Sequence, residues 1–98
     1  MRISKFLENP TVKILIYIYE NGKVRYRDLG KLIESRGTLS NSLRALMQDD
    51  LVFRQIKEEC MPIESYYFLT EKGKKIALCI KNMMKIYGLF EEPDFNQL

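Results

Sequence analysis

Hydrophobic residues follow helical spacing in four segments of the chain and strand spacing in one. The helical segments cover about residues 10–20, 26–34, 35–49 and 70–87, where apolar positions recur every three or four residues. Residues 51–69 instead carry β-branched and aromatic residues on both sides of a polar stretch, which is typical of a β-hairpin. Residues 23–25 are a candidate for a further short strand. The pattern predicts a mainly helical α+β domain with a two-stranded hairpin before the last helix.

Residues that favour helix ends lie at the same boundaries. Pro10 suits the first turn of a helix, where its missing N–H has no partner, and Gly22 suits the end of that helix. Ser35 and Thr70 carry hydroxyl oxygens that accept hydrogen bonds from the free N–H groups of a first turn. We therefore expect helices to begin after Ser35 and Thr70, and the last helix to end at Gly88.

The segment 35–49 has one apolar face and one polar face. Leu39, Leu43 and Leu46 form a stripe that holds it to a core, and it follows the preceding helix closely, as in a helix-turn-helix. On the opposite face, arginine can donate two hydrogen bonds to guanine and asparagine can pair with adenine. An ordinary solvated helix face is the alternative. The candidates for DNA contact are Arg36, Gly37, Thr38, Ser40, Asn41 and Arg44.

Basic residues cluster before this helix and on the first strand of the hairpin. Four of them lie between positions 23 and 31, where Asp28 is the single acidic residue. Such side chains hold phosphate groups and give an affinity that depends on salt but not on base sequence, whereas a solvated surface is the alternative. The candidates for contact with the DNA backbone are Lys23, Arg25, Arg27, Lys31, Arg54 and Lys57.

The first and last of the four helical segments are too apolar to be covered by one small domain. Hydrophobic residues lie on opposite sides of the segment 10–20 and span about half of the circumference of the segment 70–87, more than the roughly 100° that packs on one core. A second copy of the chain would cover these surfaces, which predicts a homodimer. The interface candidates are Ile14, Tyr17, Ile18, Ile76, Cys79, Ile80, Met83, Met84 and Tyr87.

Composition narrows the class of function. The 98 residues have a net charge of +3, but residues 1–88 hold 16 basic and 10 acidic side chains, an excess that favours polyanionic partners. Histidine is absent, which removes the common catalytic triads and most zinc sites, and no glycine-rich phosphate loop is present. We expect no catalysis, metal or cofactor. With no signal peptide pattern and no apolar run long enough to cross a membrane, a cytoplasmic protein is expected.

The two cysteines do not form a metal-binding pair. Cys79 lies beside the apolar stripe of the last helix, where a small buried side chain is the simpler role and a disulfide between two chains is the alternative. Cys60 lies among glutamates at the tip of the hairpin, and these disfavour the reactive thiolate. We therefore do not assign redox sensing to Cys60.

The chain resembles winged-helix transcriptional regulators of the MarR, HxlR and PadR type over about residues 11–88. The residues that carry the resemblance are Thr38-Leu39-Ser40, Leu43, Leu46, Leu51-Val52 and Tyr67-Phe68-Leu69-Thr70-Glu71-Lys72-Gly73. The resemblance implies a winged helix-turn-helix with a two-stranded wing and a long C-terminal dimerisation helix at about residues 70–88. It also implies a homodimer on a pseudo-palindromic operator. Residues 1–88 would then form the DNA-binding domain and residues 89–98 an acidic, loose tail.

The wing departs from this family in its charge. Glu58, Glu59 and Glu64 outnumber the basic residues of the segment 54–64, whereas wings of the family often have basic tips. Backbone contacts are therefore expected from Arg54 and Lys57 on the first strand rather than from the tip. Asp50 also stands where the family usually has glycine, a change to which we assign no functional weight.

These features together predict a homodimer that binds double-stranded DNA sequence-specifically and regulates transcription as a repressor. The alternative is a winged-helix module that docks onto a protein through the same helix face or the acidic wing and does not bind DNA. A small-molecule effector is left open. Tyr17, Tyr19, Tyr66 and Tyr67 are candidates to line its pocket, although aromatic residues more often belong to the core.

Overall fold

The computed structural model describes residues 2–59, 61 and 63–91 of the chain. In this part of the chain five helices and three strands follow one another. They are α1 (Ile3–Leu7), α2 (Pro10–Asn21), β1 (Lys23–Arg25), α3 (Tyr26–Leu32), α4 (Arg36–Gln48), β2 (Val52–Lys57), β3 (Glu64–Leu69) and α5 (Glu71–Glu91). None of the described helices is long and apolar enough to cross a membrane. Cys60 and residues 92–98 of the predicted tail lie outside the described residues.

Capping contacts confirm the predicted ends of α2 and the start of α4. The Asn9 side-chain oxygen accepts a hydrogen bond from the Thr11 N–H at 2.8 Å, beside Pro10. At the other end of α2, Gly22 has φ +83° and donates its N–H to the Ile18 carbonyl. The Ser35 hydroxyl oxygen accepts from the Thr38 N–H at 3.2 Å. Helix α1 was not predicted, since it has five residues and no side-chain cap.

Helix α2 lies at the centre of the protein and packs against α1, α4, α5, β1 and β3. Ile14 and Ile18 are completely buried, and Ile80 of α5 is only 7% exposed. The prediction that Ile14 and Ile18 contact a second chain is therefore wrong, because elements of the same chain cover both sides of α2. The buried core comprises Val12, Ile14, Leu15, Ile16, Ile18, Val24, Leu29, Ile33, Leu39, Leu43, Leu46, Val52, Tyr67, Leu69, Ala77 and Ile80.

The wing contains three strands rather than the predicted two. The antiparallel sheet has the order β1-β3-β2, so that β3 pairs with β2 along the hairpin and with β1 on its other edge. Val24 faces Tyr67 in this register, and both side chains are buried. The hairpin was predicted from local sequence alone, whereas the pairing of β1 with β3 joins residues more than 40 positions apart.

The end of α4 is fixed against the start of α5. Asp50 adopts a left-handed conformation with φ +60°, which aspartate tolerates better than most residues. The Thr70 hydroxyl donates to the Asp50 carbonyl at 2.7 Å and accepts from the Gly73 N–H at 2.9 Å, which confirms Thr70 as an N-cap. A Cβ atom at Gly73 would lie 2.1 Å from the Leu51 carbonyl oxygen. Glycine is therefore required at this position for α5 to reach its place.

Helix α5 is longer than predicted. It continues through Gly88 to Glu91, so residues 89–91 belong to the helix rather than to a loose tail. Gly22, not Gly88, has the positive φ that typically ends a helix among the described glycines. Gly88 was expected to end α5 because of its residue type, but its backbone keeps the helical conformation.

Candidate nucleic-acid interface

One side of α4 is anchored in the core. Leu39, Leu43 and Leu46 are at most 2% exposed. Their spacing places them on one face of the helix, and burial of each contributes about 1.5–3 kcal/mol. This anchoring fixes the rotation of α4 about its axis, and with it the set of side chains on the opposite face.

The opposite face of α4 is exposed to solvent and carries no acidic residue. Arg36, Asn41 and Arg44 lie on it, and Arg44 Nη1 donates to the Asn41 side-chain oxygen at 3.3 Å. A Cβ at Gly37 would meet only the Ser35 hydroxyl, at 3.9 Å, so the first turn is open to close approach. The free N–H groups of this turn add a partial positive charge. This face combines hydrogen-bond donors with positive charge.

Two of the six candidates on α4 are less accessible. Thr38 and Ser40 are half-buried, and the Ser40 hydroxyl lies 3.0 Å from the Tyr26 hydroxyl at the start of α3. The Ser40–Tyr26 contact links the two helices of the helix-turn-helix. Its partner is 14 positions away, which is why helical periodicity alone did not predict it.

Five of the six backbone candidates have exposed side chains. They are Lys23, Arg27, Lys31, Arg54 and Lys57. They come from β1, α3 and β2, the three elements on either side of α4 in the chain. Exposed cations in this arrangement are able to contact phosphates without reading bases.

Arg25 is the exception, because it is held by β3. Its Nη2 atom lies 3.0 Å from the Glu64 carboxylate and donates to the Tyr66 hydroxyl at 3.0 Å. The Tyr66 hydroxyl in turn donates to Glu64. The hydrogen bond with Tyr66 and, after it, the charge of Glu64 raise the pKa of Arg25. The hydrogen bond from Tyr66 lowers the pKa of Glu64, as does the charge of Arg25, against an opposing effect of desolvation.

The described part of the wing tip is acidic and apolar. Glu58 and Glu59 are exposed, as expected from the sequence. Ile56, Met61 and Ile63 are 44%, 92% and 62% exposed. This tip offers little positive charge to a DNA backbone, in contrast to α4.

Helix α5 exposes an apolar stripe away from the core. Cys79, Met83 and Ile86 recur at i, i+4 and i+7 and therefore share one face. Cys79 is an exposed free cysteine and Ile86 is 60% exposed, while Met83 is half-buried. Burial of Cys79 would thus require a second chain. Of the other interface candidates on α5, Ile76 and Tyr87 are half-buried and Met84 is 38% exposed.

The four tyrosines considered for an effector lie in different surroundings. Tyr19 lines a groove of about 500 Å³ between α2 and α5, and Tyr17 lines a second one of about 160 Å³. Tyr67 is buried in the core and Tyr66 lies in the sheet. The described residues also contain no cluster of three or more side chains suited to a metal ion.

A model of the HxlR-like helix-turn-helix family matches residues 9–94, most of the chain. The chain belongs to this family. A search of curated proteins gave no match. The HxlR-like assignment confirms the regulator type inferred from residues 11–88, and these regulators are transcription factors rather than enzymes.

Solved structures support the same fold. The chain is similar to the reduced form of the transcriptional regulator YodB from B. subtilis, with 27% identity, a TM-score of 0.69 and coverage of 84% of this chain and 81% of that one. It is similar to F-93 of SSV1, with 27% identity, a TM-score of 0.66 and coverage of 83% and 91%. A MarR transcriptional regulator from Methanosarcina mazei Go1 shows 26% identity, a TM-score of 0.70 and coverage of 86% and 57%. The HxlR-like chain is a winged-helix transcriptional regulator.

Proposed function

We propose that this regulator binds double-stranded DNA sequence-specifically as a homodimer and represses transcription by occluding a promoter. The observation that carries the proposal is the exposed face of α4, which has Arg36, Asn41 and Arg44 opposite three buried leucines. A helix anchored in this way presents its polar side to the major groove. The protein recognises bases through this side.

Base recognition is assigned to the side chains with free access to the groove. Arg44 and Arg36 are exposed and suited to guanine, and Asn41 is exposed and suited to adenine. Ser40 contributes less, because its hydroxyl is engaged with Tyr26. Lys23, Arg27, Lys31, Arg54 and Lys57 supply backbone contacts. Their charge makes the affinity fall as salt rises.

Dimerisation is assigned to the outward stripe of α5. Cys79, Met83 and Ile86 leave apolar surface in contact with water in a single protomer. Covering that surface with the same helix of a second copy gives a two-fold symmetric contact, the commonest arrangement in homodimers. Two α4 helices then enter successive major grooves about one helical turn apart.

Docking onto a protein is the second candidate function. The exposed Ile56, Met61 and Ile63 of the wing favour it, since apolar side chains beside Glu58 and Glu59 suit a protein surface better than a DNA backbone. Such a contact would use the wing rather than α4.

Binding of a labelled duplex pool by fluorescence anisotropy tests the proposal. We expect affinity that decreases steeply with salt. Arg44→Ala should weaken binding to a selected site about tenfold and relax base preference there, since one arginine–guanine contact contributes about 1–3 kcal/mol. Lys75→Ala, which removes one exposed charge from α5, is the control and should leave base preference unchanged. Equal base preference in Arg44→Ala and the control would refute the assignment of α4.

A further inference from the structure

The sheet has a solvent-facing side on which aromatic and basic residues alternate in register. We call it the outer sheet face and define it by Lys23, Arg25, Phe53, Gln55, Lys57, Glu64, Tyr66 and Phe68. The other side of the sheet carries buried residues such as Val24, Val52 and Leu69, which belong to the core. Because side chains alternate along a strand, the two sets point to opposite sides. The outer sheet face contains neither α4 nor the stripe on α5, although Lys23 and Lys57 are also among the proposed contacts with a duplex backbone.

Two phenylalanine rings stack on each other on the outer sheet face. The rings of Phe53 and Phe68 face each other across β2 and β3, with centroids 5.1 Å apart and an interplanar angle of 13°. Phe53 is 46% exposed. A planar ring in water is a surface on which a further planar ring can stack.

Three cations surround the neighbouring Tyr66. Lys23 Nζ, Arg25 Cζ and Lys57 Nζ lie 4.8, 5.3 and 5.5 Å from the centre of its ring. Lys23 and Arg25 come from one edge strand and Lys57 from the other. Tyr66 is consequently only 8% exposed and acts as the anchor that positions the cations.

The outer sheet face is positive overall. Its one carboxylate, Glu64, is already engaged by Arg25 and by the Tyr66 hydroxyl. Among the described residues no carboxylate lies within ion-pair distance of Lys23 or Lys57. These two lysines therefore remain able to bind an anion on either side of the aromatic centre.

We propose that the outer sheet face is a second nucleic-acid site, which binds single-stranded DNA or RNA. An unpaired base stacks on the exposed Phe53 ring, and the neighbouring phosphates contact Lys23 and Lys57. Single strands expose bases for such stacking, whereas a duplex keeps them within the helix. A protein partner would need a wider apolar surface than one ring pair with cations on both edges. The inference does not depend on α4 reading duplex DNA.

Binding of the full chain to labelled oligo(dT) and oligo(U) of about 12 nucleotides, within the usual range of site sizes, tests this inference. Phe53→Leu keeps apolar volume but removes the aromatic ring, and Phe53→Tyr keeps the ring. We expect Phe53→Leu to weaken single-strand binding about fivefold or more, and Phe53→Tyr to retain it. Duplex binding, measured in parallel, should be the same in both variants. Lys23→Gln should reduce the slope of log affinity against log salt by about 0.7.

Each result decides for or against the outer sheet face. Binding of either oligonucleotide with the expected dependence on Phe53 supports the inference, and the ratio of the two affinities identifies DNA or RNA as the preferred ligand. Absence of single-strand binding overturns it, as does equal binding by Phe53→Leu and Phe53→Tyr when circular dichroism shows that both are folded. Binding of a labelled peptide of alternating Glu and Phe in preference to both oligonucleotides also overturns it. If the wild-type protein did not bind duplex DNA, the proposed function would be refuted, but the result for single-strand binding would still stand.

Discussion

Helices α2 and α5 have similar hydrophobic patterns but opposite surroundings. In α2, Ile14 and Ile18 are completely buried by other parts of the same chain. In α5, Ala77 and Ile80 pack on the core, while Ile86 is 60% exposed. The difference arises from position, since α2 lies between the sheet, α4 and α5, whereas α5 lies at the periphery.

An apolar helix can be covered by its own protomer or by a second copy of the chain. The hydrophobic pattern of both helices predicts that water is excluded from most of their circumference. It does not identify what excludes the water. For α2 the cover is the protomer itself, and for α5 we propose that part of the cover is a second copy.

The largest expected effect is a difference in protomer stability between a substitution in α2 and one in α5. Ile14→Ala should destabilise the protomer by about 2–5 kcal/mol, because it opens a cavity in the core. Ile86→Ala should change protomer stability by less than about 0.5 kcal/mol, as is usual for an exposed site. Urea unfolding followed by circular dichroism at low protein concentration measures both. Similar losses in the two variants would show that Ile86 is also a core residue.

Two glycines of α5 give the next contrast. Gly73→Ala should destabilise the protein by about 1–3 kcal/mol, because the new Cβ collides with the Leu51 carbonyl and displaces the start of the helix. Gly88→Ala should instead stabilise it by about 0.5–1 kcal/mol, since it lies within the helix and its Cβ would meet nothing within 4 Å. Thermal unfolding compares the two. A destabilising Gly88→Ala would contradict the continuous helix.

The outward stripe of α5 is tested by adding charge. Ile86→Lys should raise the dimer dissociation constant about tenfold or more, because an apolar contact contributes roughly 1.5–3 kcal/mol. Leu78→Lys places the same charge at an exposed position outside the stripe and should have a smaller effect. Sedimentation at several concentrations measures the dissociation constant. Dimers that are weakened equally by both variants would place the interface elsewhere on α5.

The smallest expected effect concerns a polar contact at the sheet. Its contribution to stability can be compared with the contributions of the apolar residues in α2 and α5. The folded-state pKa of Glu64 is lowered, mainly by the Tyr66 hydrogen bond, so its contribution is present above the ordinary glutamate pKa and is lost as pH falls through the lowered value. In Glu64→Gln the decline of stability in this acidic range should be shallower than in wild type. Urea midpoints measured across that range test this. Identical pH profiles would show that the contact adds no stability.

Local features of the sequence predicted most elements, while contacts between distant residues were missed. Ser35 and Thr70 identified helix starts because a side-chain cap acts within three residues. The pairing of β1 with β3 and the engagement of Arg25 by Tyr66 join residues about 40 positions apart, for which local patterns contain no signal. The exposed face of α4 was predicted from the helical repeat. The repeat that places the three leucines on one side of the helix also determines which residues lie on the opposite side. Burial of Ile14 and Ile18 depends on the whole fold.

Selection of bound sites from a random duplex pool by the protein tests most directly whether two α4 helices read DNA together. The account predicts an inverted repeat whose half-sites are centred about 10 base pairs apart, with base preferences in each half-site that change in Arg44→Ala. A pool without enrichment, or enrichment of a single half-site without symmetry, would contradict it.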